Sequence, residues 1–331
     1  MSVTHHRSRV AFAVCACWLT LSITACGAPA ASVGAHRADH SVSGRAVGTS
    51  PTPATSPAPT AGATSPSRAS RTGPTLAQAA SLVVRPAHVL IVVEENHSSA
   101  EVLGSSSAPY LRHLAATGAR FSHYHAITHP SQPNYLALFS GSTQQVRDDS
   151  CPHRFTRPNL GSELRSHHRS FAGYAEGLPK PGSTVCRSGS YARKHAPWTN
   201  FTDLPAATSR PLQDFPSDYN KLPTVAFVIP DLDHDMHDGT IGQADSWLQQ
   251  HLSRYVTWAR THNSLLIITA DEDDKTADNV VPTVIVGDHV RVGTISERVT
   301  HYSLLRLLED TYRLPRLGHS ATATPIRDLW R

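Results

Sequence analysis

The sequence predicts an α/β fold with a doubly wound, largely parallel sheet flanked by helices. Continuous apolar runs at residues 88–94 and 264–270 are typical of strands that are buried on both faces of a parallel sheet. Segments with helical spacing alternate with such runs, and the longest covers residues 241–262, where apolar side chains fall on one face. This alternation of strands and helices indicates a doubly wound sheet.

Residues 1–26 are predicted to be an export signal. Basic residues precede an apolar run at 10–23 that is too short to span a bilayer comfortably. The run leads into Leu21-Ser22-Ile23-Thr24-Ala25-Cys26-Gly27, which resembles a bacterial lipobox with Cys26 as the lipidated residue. Cleavage nearer residues 28–31 would instead release a soluble secreted protein. Both outcomes stay open, so we expect a product that is secreted or anchored to the outer face of the cell membrane.

The composition divides the remaining chain in two. Residues 27–85 are rich in Ala, Ser, Thr and Pro and cannot bury a core, so we expect a disordered tether. Residues 86–331 are long enough for one large α/β domain, predicted to be catalytic. The formal charge is +4 and the chain has no Lys/Arg cluster of the kind that follows a nucleic-acid backbone, which argues against nucleic-acid binding.

Two cysteines, Cys151 and Cys186, lie outside the signal region. In an oxidising compartment they most simply form a disulfide, which closes a loop of about 35 residues and stabilises the fold by about 3 kcal/mol. The alternative is two free thiols. The segment at 177–222 is irregular and rich in Pro, Ser and Gly, and we expect an insertion over the mouth of the active site, held by this disulfide.

Polar clusters follow the predicted strands. Since ligands of open α/β sheets bind beyond the carboxyl ends of the strands, these clusters are expected to share one edge of the sheet. Taken singly, a strand-end acid is more often a helix cap or a surface residue. The clusters are Glu95 with Asn96, Ser131, residues 234–238, and Asp271 with Glu272.

Ser131 stands at a predicted corner between a strand at 120–127 and a helix. Ser is a favoured N-cap and Pro133 suits a first helical turn, so the helix is expected to start at Asn134. Free amide groups of that turn would form a seat for a phosphate or an oxyanion. The plainer interpretation is a capped helix without chemistry.

Five motifs, taken in order, resemble the bacterial phosphoesterase family. That family contains secreted acid phosphatases and phospholipases C and belongs to the alkaline-phosphatase-like superfamily. The resemblance covers residues 89–314, and the chain is most similar to short, exported acid phosphatases of the phosphatidylinositol 3-phosphatase type. The motifs are Glu95-Asn96-His97, Pro130-Ser131-Gln132-Pro133-Asn134-Tyr135, the cluster at 230–238, Asp271-Glu272 and His301-Tyr302-Ser303.

The resemblance implies a role for each matching residue. Ser131 would be the nucleophile, Asn134 would contact phosphate, and His234 and His237 would lie around the phosphate, with the general acid unassigned between them. Several relatives have a Gly pair where this chain has Asp273-Asp274, which leaves open which acid of the run is the second ligand. The metal-binding positions would be Glu95, Asn96, Asp271 and Glu272.

The residue types suit metal-assisted attack on a phosphate ester. A divalent cation held by carboxylate and amide oxygens lowers the pKa of a Ser hydroxyl and screens the phosphoryl charge. Oxygen ligands favour Mg²⁺, Ca²⁺ or Mn²⁺, while nearby histidines admit Zn²⁺ or Fe. We therefore expect one divalent metal ion of open identity.

The sequence thus predicts an exported acid phosphatase that hydrolyses phosphomonoesters through a phosphoserine. Its expected substrates are phosphorylated small molecules or phosphoinositides, the latter by analogy with relatives. One alternative keeps the same site but cleaves phosphodiesters, as a phospholipase C does. An alternative from another class is a non-catalytic, envelope-anchored binding protein, which requires the loss of a site residue.

Overall fold

The computed structural model of the protein describes residues 84–331. The predicted export signal, Cys26 and all but the last residues of the predicted tether lie outside this part of the chain. Within it, no helix combines the length and the apolar character that crossing a membrane requires.

Strands and helices alternate along the described chain. The helices are α1 (Ser99–Gly104), α2 (Pro109–Thr117), α3 (Ser131–Ser140), α4 (Leu160–Ser166), α5 (Ile241–Ala259) and α6 (His301–Tyr312). The strands are β1 (His88–Glu94), β2 (Ala119–Phe121), β3 (Tyr124–His125), β4 (Phe171–Ala175), β5 (Arg187–Ser188), β6 (Tyr191–Ala192), β7 (Ser209–Pro211), β8 (Val225–Ile229), β9 (Ser264–Ala270), β10 (Thr283–Gly287), β11 (Gly293–Ile295) and β12 (Val299–Thr300).

The central sheet has eight strands in the order β11-β2-β10-β9-β1-β8-β4-β7. Neighbours pair in parallel except around β10, which is antiparallel to both β9 and β2. β1 lies in the middle, parallel to β8 on one side and to β9 on the other. The predicted α/β fold with a largely parallel sheet is therefore confirmed, and the carboxyl ends of β1, β8 and β9 meet at one edge.

Helices bury both faces of the sheet. Val89, Ile91 and Val93 of β1 point into a core that α3, α4 and α6 cover, whereas Leu90 and Val92 point into a second core under α2 and α5. Successive residues of a strand point to opposite faces, so a strand that is covered on both sides needs apolar residues at every position. This explains the continuous apolar runs in the sequence.

The strand predicted at 120–127 is interrupted. β2 ends at Phe121 and β3 is a separate short strand that pairs with β12. At the break, the amide of Ser122 donates to Ile295 O at 3.1 Å and the ring of His123 contacts Ser296 O at 3.1 Å. Contacts with a distant loop therefore replace continuous pairing.

Helix α3 begins earlier than predicted. Its first residue is Ser131, and Pro130 occupies the N-cap position without a side-chain hydrogen bond. Pro133 fits inside the first turn because the first amides of a helix have no intrahelical acceptor. Gly141 ends the helix with φ 69°, where an added Cβ would lie 1.9 Å from Leu317 O. Ser131 is thus a helical residue rather than a cap.

Residues 177–222 contain the short strands β5, β6 and β7 and several single turns of 3-10 helix. The Sγ atoms of Cys151 and Cys186 are bonded at 2.09 Å, which confirms the predicted disulfide. The bond joins this irregular segment to the loop that follows α3.

Candidate active site

The acids that follow β1 and β9 converge on the first residue of α3. The hydroxyl of Ser131 donates to Glu95 Oε2 at 2.9 Å and lies 3.3 Å from Glu272 Oε1. All three side chains are buried, with Ser131 2% exposed and Glu95 fully enclosed. Because β1 and β9 are parallel neighbours, their carboxyl ends bring the two glutamates to the same hydroxyl.

Asp271 adds a third buried carboxylate to this group. The residue is 1% exposed and neither of its side-chain oxygens has a hydrogen-bond partner. Burial, with Glu95 and Glu272 nearby, raises the pKa of Asp271 well above its usual range. Burial and Glu95 likewise raise the pKa of Glu272 to about 7. Buried carboxylates are normally paired or bind metals, so this donor set fits a divalent cation.

A buried histidine bridges two acids beside Ser131. His195 Nε2 lies 3.0 Å from Glu95 Oε1, and its Nδ1 lies 3.2 Å from Asp235 Oδ2. Burial alone would lower the pKa of His195, but Glu95 and Asp235 raise it to about 9. Burial alone would raise the pKa of Glu95, but His195 and then Lys194 lower it to about 2. The geometry therefore describes an imidazolium held between two carboxylates.

Glu95, His195 and Asp235 are also close enough to share a metal ion, with donor atoms within 4.8 Å of one another. An ion at that point would have to displace the proton of His195, whose pKa these acids already raise. The carboxylate of Asp271, which has no hydrogen-bond partner, makes the side of Ser131 the better cation position. Glu95 takes part in both arrangements, because its Oε2 accepts from Ser131 and its Oε1 faces His195.

Tyr135 fixes the orientation of Glu95. Its hydroxyl donates to Glu95 Oε1 at 2.6 Å, and its ring stacks on His195 with centroids 5.0 Å apart. Tyr135 lies one helical turn after Ser131 in α3, so both side chains face the same carboxylate.

Lys194 supplies a cation next to the serine. Its Nζ lies 2.9 Å from Asp149 Oδ2, 3.5 Å from Ser131 Oγ and 3.4 Å from His237 Nε2. Burial opposes its charge, but Glu95 and Asp149 raise the pKa of Lys194 overall. Asp149 also accepts from the amide of Gln132 at 3.0 Å, which ties this ion pair to the start of α3.

Lys194 and His195 both come from the irregular segment at 177–222, in the 3-10 turn Arg193–His195. The buried guanidinium of Arg193 holds this turn by donating to Thr184 O and Thr199 O, each at 2.8 Å. The segment therefore contributes two side chains to the site.

The two histidines of the predicted cluster point to different places. His237 contacts Lys194, and its Nδ1 lies 2.7 Å from Asp238 Oδ1. His234 instead contacts Glu176 Oε2 at 3.1 Å and Asp231 Oδ1 at 3.0 Å. The structure thus brings His237, and not His234, into contact with the residues around Ser131.

The two predicted amide residues also differ in their surroundings. Asn96 follows Glu95 directly and is half-buried. Asn134 is 1% exposed, and its side chain makes four hydrogen bonds to the backbone of the preceding turn. The amide of Asn134 therefore supports the turn that leads to Ser131.

Sequence reasoning missed Asp149, Lys194, His195 and Asp235 as members of this site, along with the contact made by Tyr135. Tyr135 and Asp235 lie inside motifs that the sequence had singled out, so helical spacing from Ser131 could have suggested Tyr135, and a position after a strand could have suggested Asp235. Lys194-His195 stands in a Pro/Ser/Gly-rich segment, where the adjacent basic and imidazole side chains were the available sign.

The structure is a largely parallel α/β sheet whose carboxyl edge gathers carboxylates around a serine hydroxyl. Among solved structures, the chain is similar to a protein in the alkaline phosphatase superfamily from Vibrio parahaemolyticus, with a TM-score of 0.51. The sequence identity is 11%, and the match covers 73% of this chain and 71% of that one. At this identity the similarity shows the fold alone.

The chain belongs to the phosphoesterase family, whose model matches residues 105–315. It is 52% identical over 260 residues to a phosphatidylinositol-3-phosphatase from Mycobacterium tuberculosis (strain ATCC 25618 / H37Rv), covering 78% of this chain and 87% of the relative. It is 32% identical over 227 residues to a phosphate-repressible acid phosphatase from Penicillium chrysogenum, covering 63% of this chain and 55% of the relative. The predicted family and the prediction of a phosphoric ester hydrolase are confirmed.

Proposed function

We propose that the protein is an exported acid phosphatase that hydrolyses phosphomonoesters through a phosphoserine intermediate. The observation that carries this proposal is the position of Ser131 Oγ, between Glu95 Oε2 at 2.9 Å and Lys194 Nζ at 3.5 Å. A hydroxyl in that position has an acceptor for its proton and a cation for the incoming phosphate. The names of the relatives support a phosphatase.

Ser131 Oγ is the attacking atom. Glu95 Oε2 accepts its hydrogen bond and so orients a lone pair away from the carboxylate. A divalent cation held by Glu95, Asn96, Asp271 and Glu272 would supply charge neutralisation and would lower the pKa of the hydroxyl. Tyr135 and His195 keep Glu95 in place during attack.

Lys194 and His237 act on the phosphoryl group and the leaving group. Lys194 Nζ neutralises charge on the phosphoryl oxygens, whose developing charge is the main target of catalysis in phosphoryl transfer. His237 Nδ1 is engaged by Asp238, which leaves Nε2 to protonate the departing alkoxide once Lys194 Nζ has moved from Nε2 to the phosphoryl oxygens. Hydrolysis of the phosphoserine by water then returns the free hydroxyl.

Phosphoinositides are the proposed natural substrates, because the relative that is 52% identical is named a phosphatidylinositol-3-phosphatase. Export is supported by the apolar N-terminal run and by the Cys151–Cys186 disulfide, since disulfides persist in oxidising compartments. We also propose that Cys26 is the lipidated residue when the product stays on the membrane.

The experiment compares p-nitrophenyl phosphate with bis(p-nitrophenyl) phosphate at acidic and neutral pH, with and without chelator. A second series uses vesicles that contain phosphatidylinositol 3-phosphate or 4-phosphate. We expect the monoester to be hydrolysed faster than the diester, loss of activity with chelator, and a preference for the 3-phosphate. Faster hydrolysis of the diester would contradict the phosphomonoesterase assignment and favour a phosphodiesterase.

A further inference from the structure

A second group of metal-ligating side chains lies apart from Ser131. Glu176 follows β4, while Asp231 and His234 follow β8. These strands are parallel neighbours with Ala175 opposite Ile229, so their carboxyl ends deliver the three side chains to one point. The donor atoms of the three residues all lie within 4.8 Å of one another.

The hydrogen bonds in this group do not satisfy its charges. His234 Nδ1 lies 3.1 Å from Glu176 Oε2 and 3.0 Å from Asp231 Oδ1. A single ring nitrogen carries at most one hydrogen, so it cannot donate fully to both carboxylates. The amides of Asp231 and Asp233 also donate to Glu176 Oε2 and Asp231 Oδ1, each at 3.1 Å, but amides carry no charge. Two carboxylates beside one imidazole therefore leave net negative charge available to a cation.

The spacing of the donor atoms matches that of ligands around a small divalent ion. Metal–ligand bonds of about 2.0–2.2 Å place neighbouring ligands about 3.0–3.5 Å apart in octahedral or tetrahedral geometry. The observed nitrogen–oxygen distances are 3.0 and 3.1 Å. With all donor atoms within 4.8 Å of one another, the three side chains can bind one ion after shifts of the side chains.

The group is open to solvent on one side, where water can complete the coordination. The side chain of His234 is 38% exposed, against 18% for Glu176 and 16% for Asp231. Glu176 and His234 line a cleft of about 550 Å³, together with His251 and Trp247 of α5. The ring of Trp247 lies against His251 with centroids 4.6 Å apart, which holds a further imidazole at the cleft.

We propose that Glu176, Asp231 and His234 form a second divalent-metal site, separate from the site at Ser131, and that it binds Zn²⁺ or a similar transition ion. One imidazole nitrogen with two carboxylates suits Zn²⁺, Mn²⁺ or Co²⁺ better than Ca²⁺, which prefers oxygen ligands only. The remaining positions of the ion are taken by water from the cleft.

A metal at this site would stabilise the turn that carries catalytic groups. Asp235 and His237 follow His234 in the same turn, and Asp235 O accepts from the amide of Glu95 at 2.7 Å. Cross-linking this turn to the end of β4 through Glu176 would restrict its movement. The role is structural, because His234 contacts neither Ser131 nor Lys194.

The test uses the full chain with Glu95→Gln, which removes one carboxylate at Ser131 and so reduces the competition of that site for the ion. Co²⁺ is the probe, because its visible absorption changes when an imidazole enters its coordination sphere. We expect one Co²⁺ to bind per chain and Zn²⁺ to displace it. Adding His234→Gln should weaken Co²⁺ binding by about 100-fold or more. Removing a residue that only contacts a ligand weakens metal binding by about 10–100-fold, and removing the ligand itself should cost at least as much.

His113→Gln in the same background is the matched control, since His113 is exposed on α2, and it should leave Co²⁺ binding unchanged. Circular dichroism and thermal melting in chelator establish that each variant is folded, and Asp231→Asn replaces His234→Gln if the latter is not. Two results would overturn the proposal: no Co²⁺ bound by the Glu95→Gln protein, or equal binding after His234 or Asp231 is changed. Because the readout is metal binding, failure of this proposal is separate from failure of the phosphatase activity.

Discussion

Replacing Asn134 with alanine tests what holds Ser131 in position. Asn134 Oδ1 accepts from the amides of Ile127 at 2.9 Å and Thr128 at 3.1 Å. Its Nδ2 donates to Thr128 O at 2.8 Å and to Pro130 O at 3.2 Å. At about 0.5–1.5 kcal/mol per hydrogen bond, the four bonds contribute about 2–6 kcal/mol. Because water can reach part of the half-buried turn in the variant, we expect the free energy of unfolding to fall by about 2–4 kcal/mol.

The assay is urea unfolding in chelator, so that metal binding does not contribute to the free energy of unfolding. Asn220→Ala is the matched control, because Asn220 is exposed and bonds only to Asp218 beside it. The control should change stability by less than about 0.5 kcal/mol. We also expect kcat for p-nitrophenyl phosphate to fall in Asn134→Ala, since the turn leads into the nucleophile.

A loss below about 1 kcal/mol in Asn134→Ala, accompanied by a raised KM at unchanged kcat, would refute this reasoning. That result would mean that the amide binds the phosphate of the substrate and that the turn is held by other contacts. The two measurements therefore distinguish support of the turn from phosphate binding.

Three further predictions concern other parts of the molecule. Burial raises the pKa of Glu309 to about 7, so between about pH 4.5 and 7 the folded protein keeps a proton that the unfolded chain releases. Glu309 should therefore contribute a loss of stability of roughly 3 kcal/mol between pH 4.5 and 7, and Glu309→Gln should remove that contribution from the pH dependence of urea unfolding. Changing both Cys151 and Cys186 to serine should lower the free energy of unfolding by about 3–4 kcal/mol. An equal midpoint of urea unfolding with and without the disulfide would contradict this prediction. Lys194→Met should lower kcat/KM for p-nitrophenyl phosphate by about 10²–10³-fold. Lys221→Met is the control, because Lys221 is 75% exposed, and it should leave kcat/KM unchanged. Similar rates for the two variants would argue against a role for the charge of Lys194 in catalysis.

The strands and the carboxylates at their ends could be predicted because both are local properties of the sequence. A strand covered on two faces is apolar at every position, so residues 88–94 and 264–270 stand out without any tertiary information. The direction of those strands then places Glu95 and Glu272 at the same edge of the sheet. Their contact with Ser131 then depends on the parallel pairing of β1 and β9 and on the position of α3, which carries the serine.

The groups that escaped prediction depend on long-range chain path. Lys194 and His195 reach the site through a segment without long helices or strands, and the contacts of Arg193 with Thr184 and Thr199 set its course. No periodicity encodes such contacts, so no sequence pattern indicates that these side chains reach Ser131.

The separation of the two histidines has a local cause that sequence patterns do not show. Between His234 and His237 the backbone passes through Met236 with φ 79°, a left-handed conformation that is uncommon for a residue other than glycine. The amide of His237 then donates to Asp235 Oδ1 at 2.8 Å. This reversal directs His234 towards Glu176 and His237 towards Lys194.

Trapping the phosphorylated enzyme tests the central claim most directly. The full chain is mixed with p-nitrophenyl phosphate, quenched in acid within one turnover, digested and measured by mass spectrometry. The account predicts one added phosphoryl group on Ser131, absent from Ser131→Ala, together with loss of turnover in that variant. A phosphoryl group on another residue, or turnover that persists in Ser131→Ala, would contradict it.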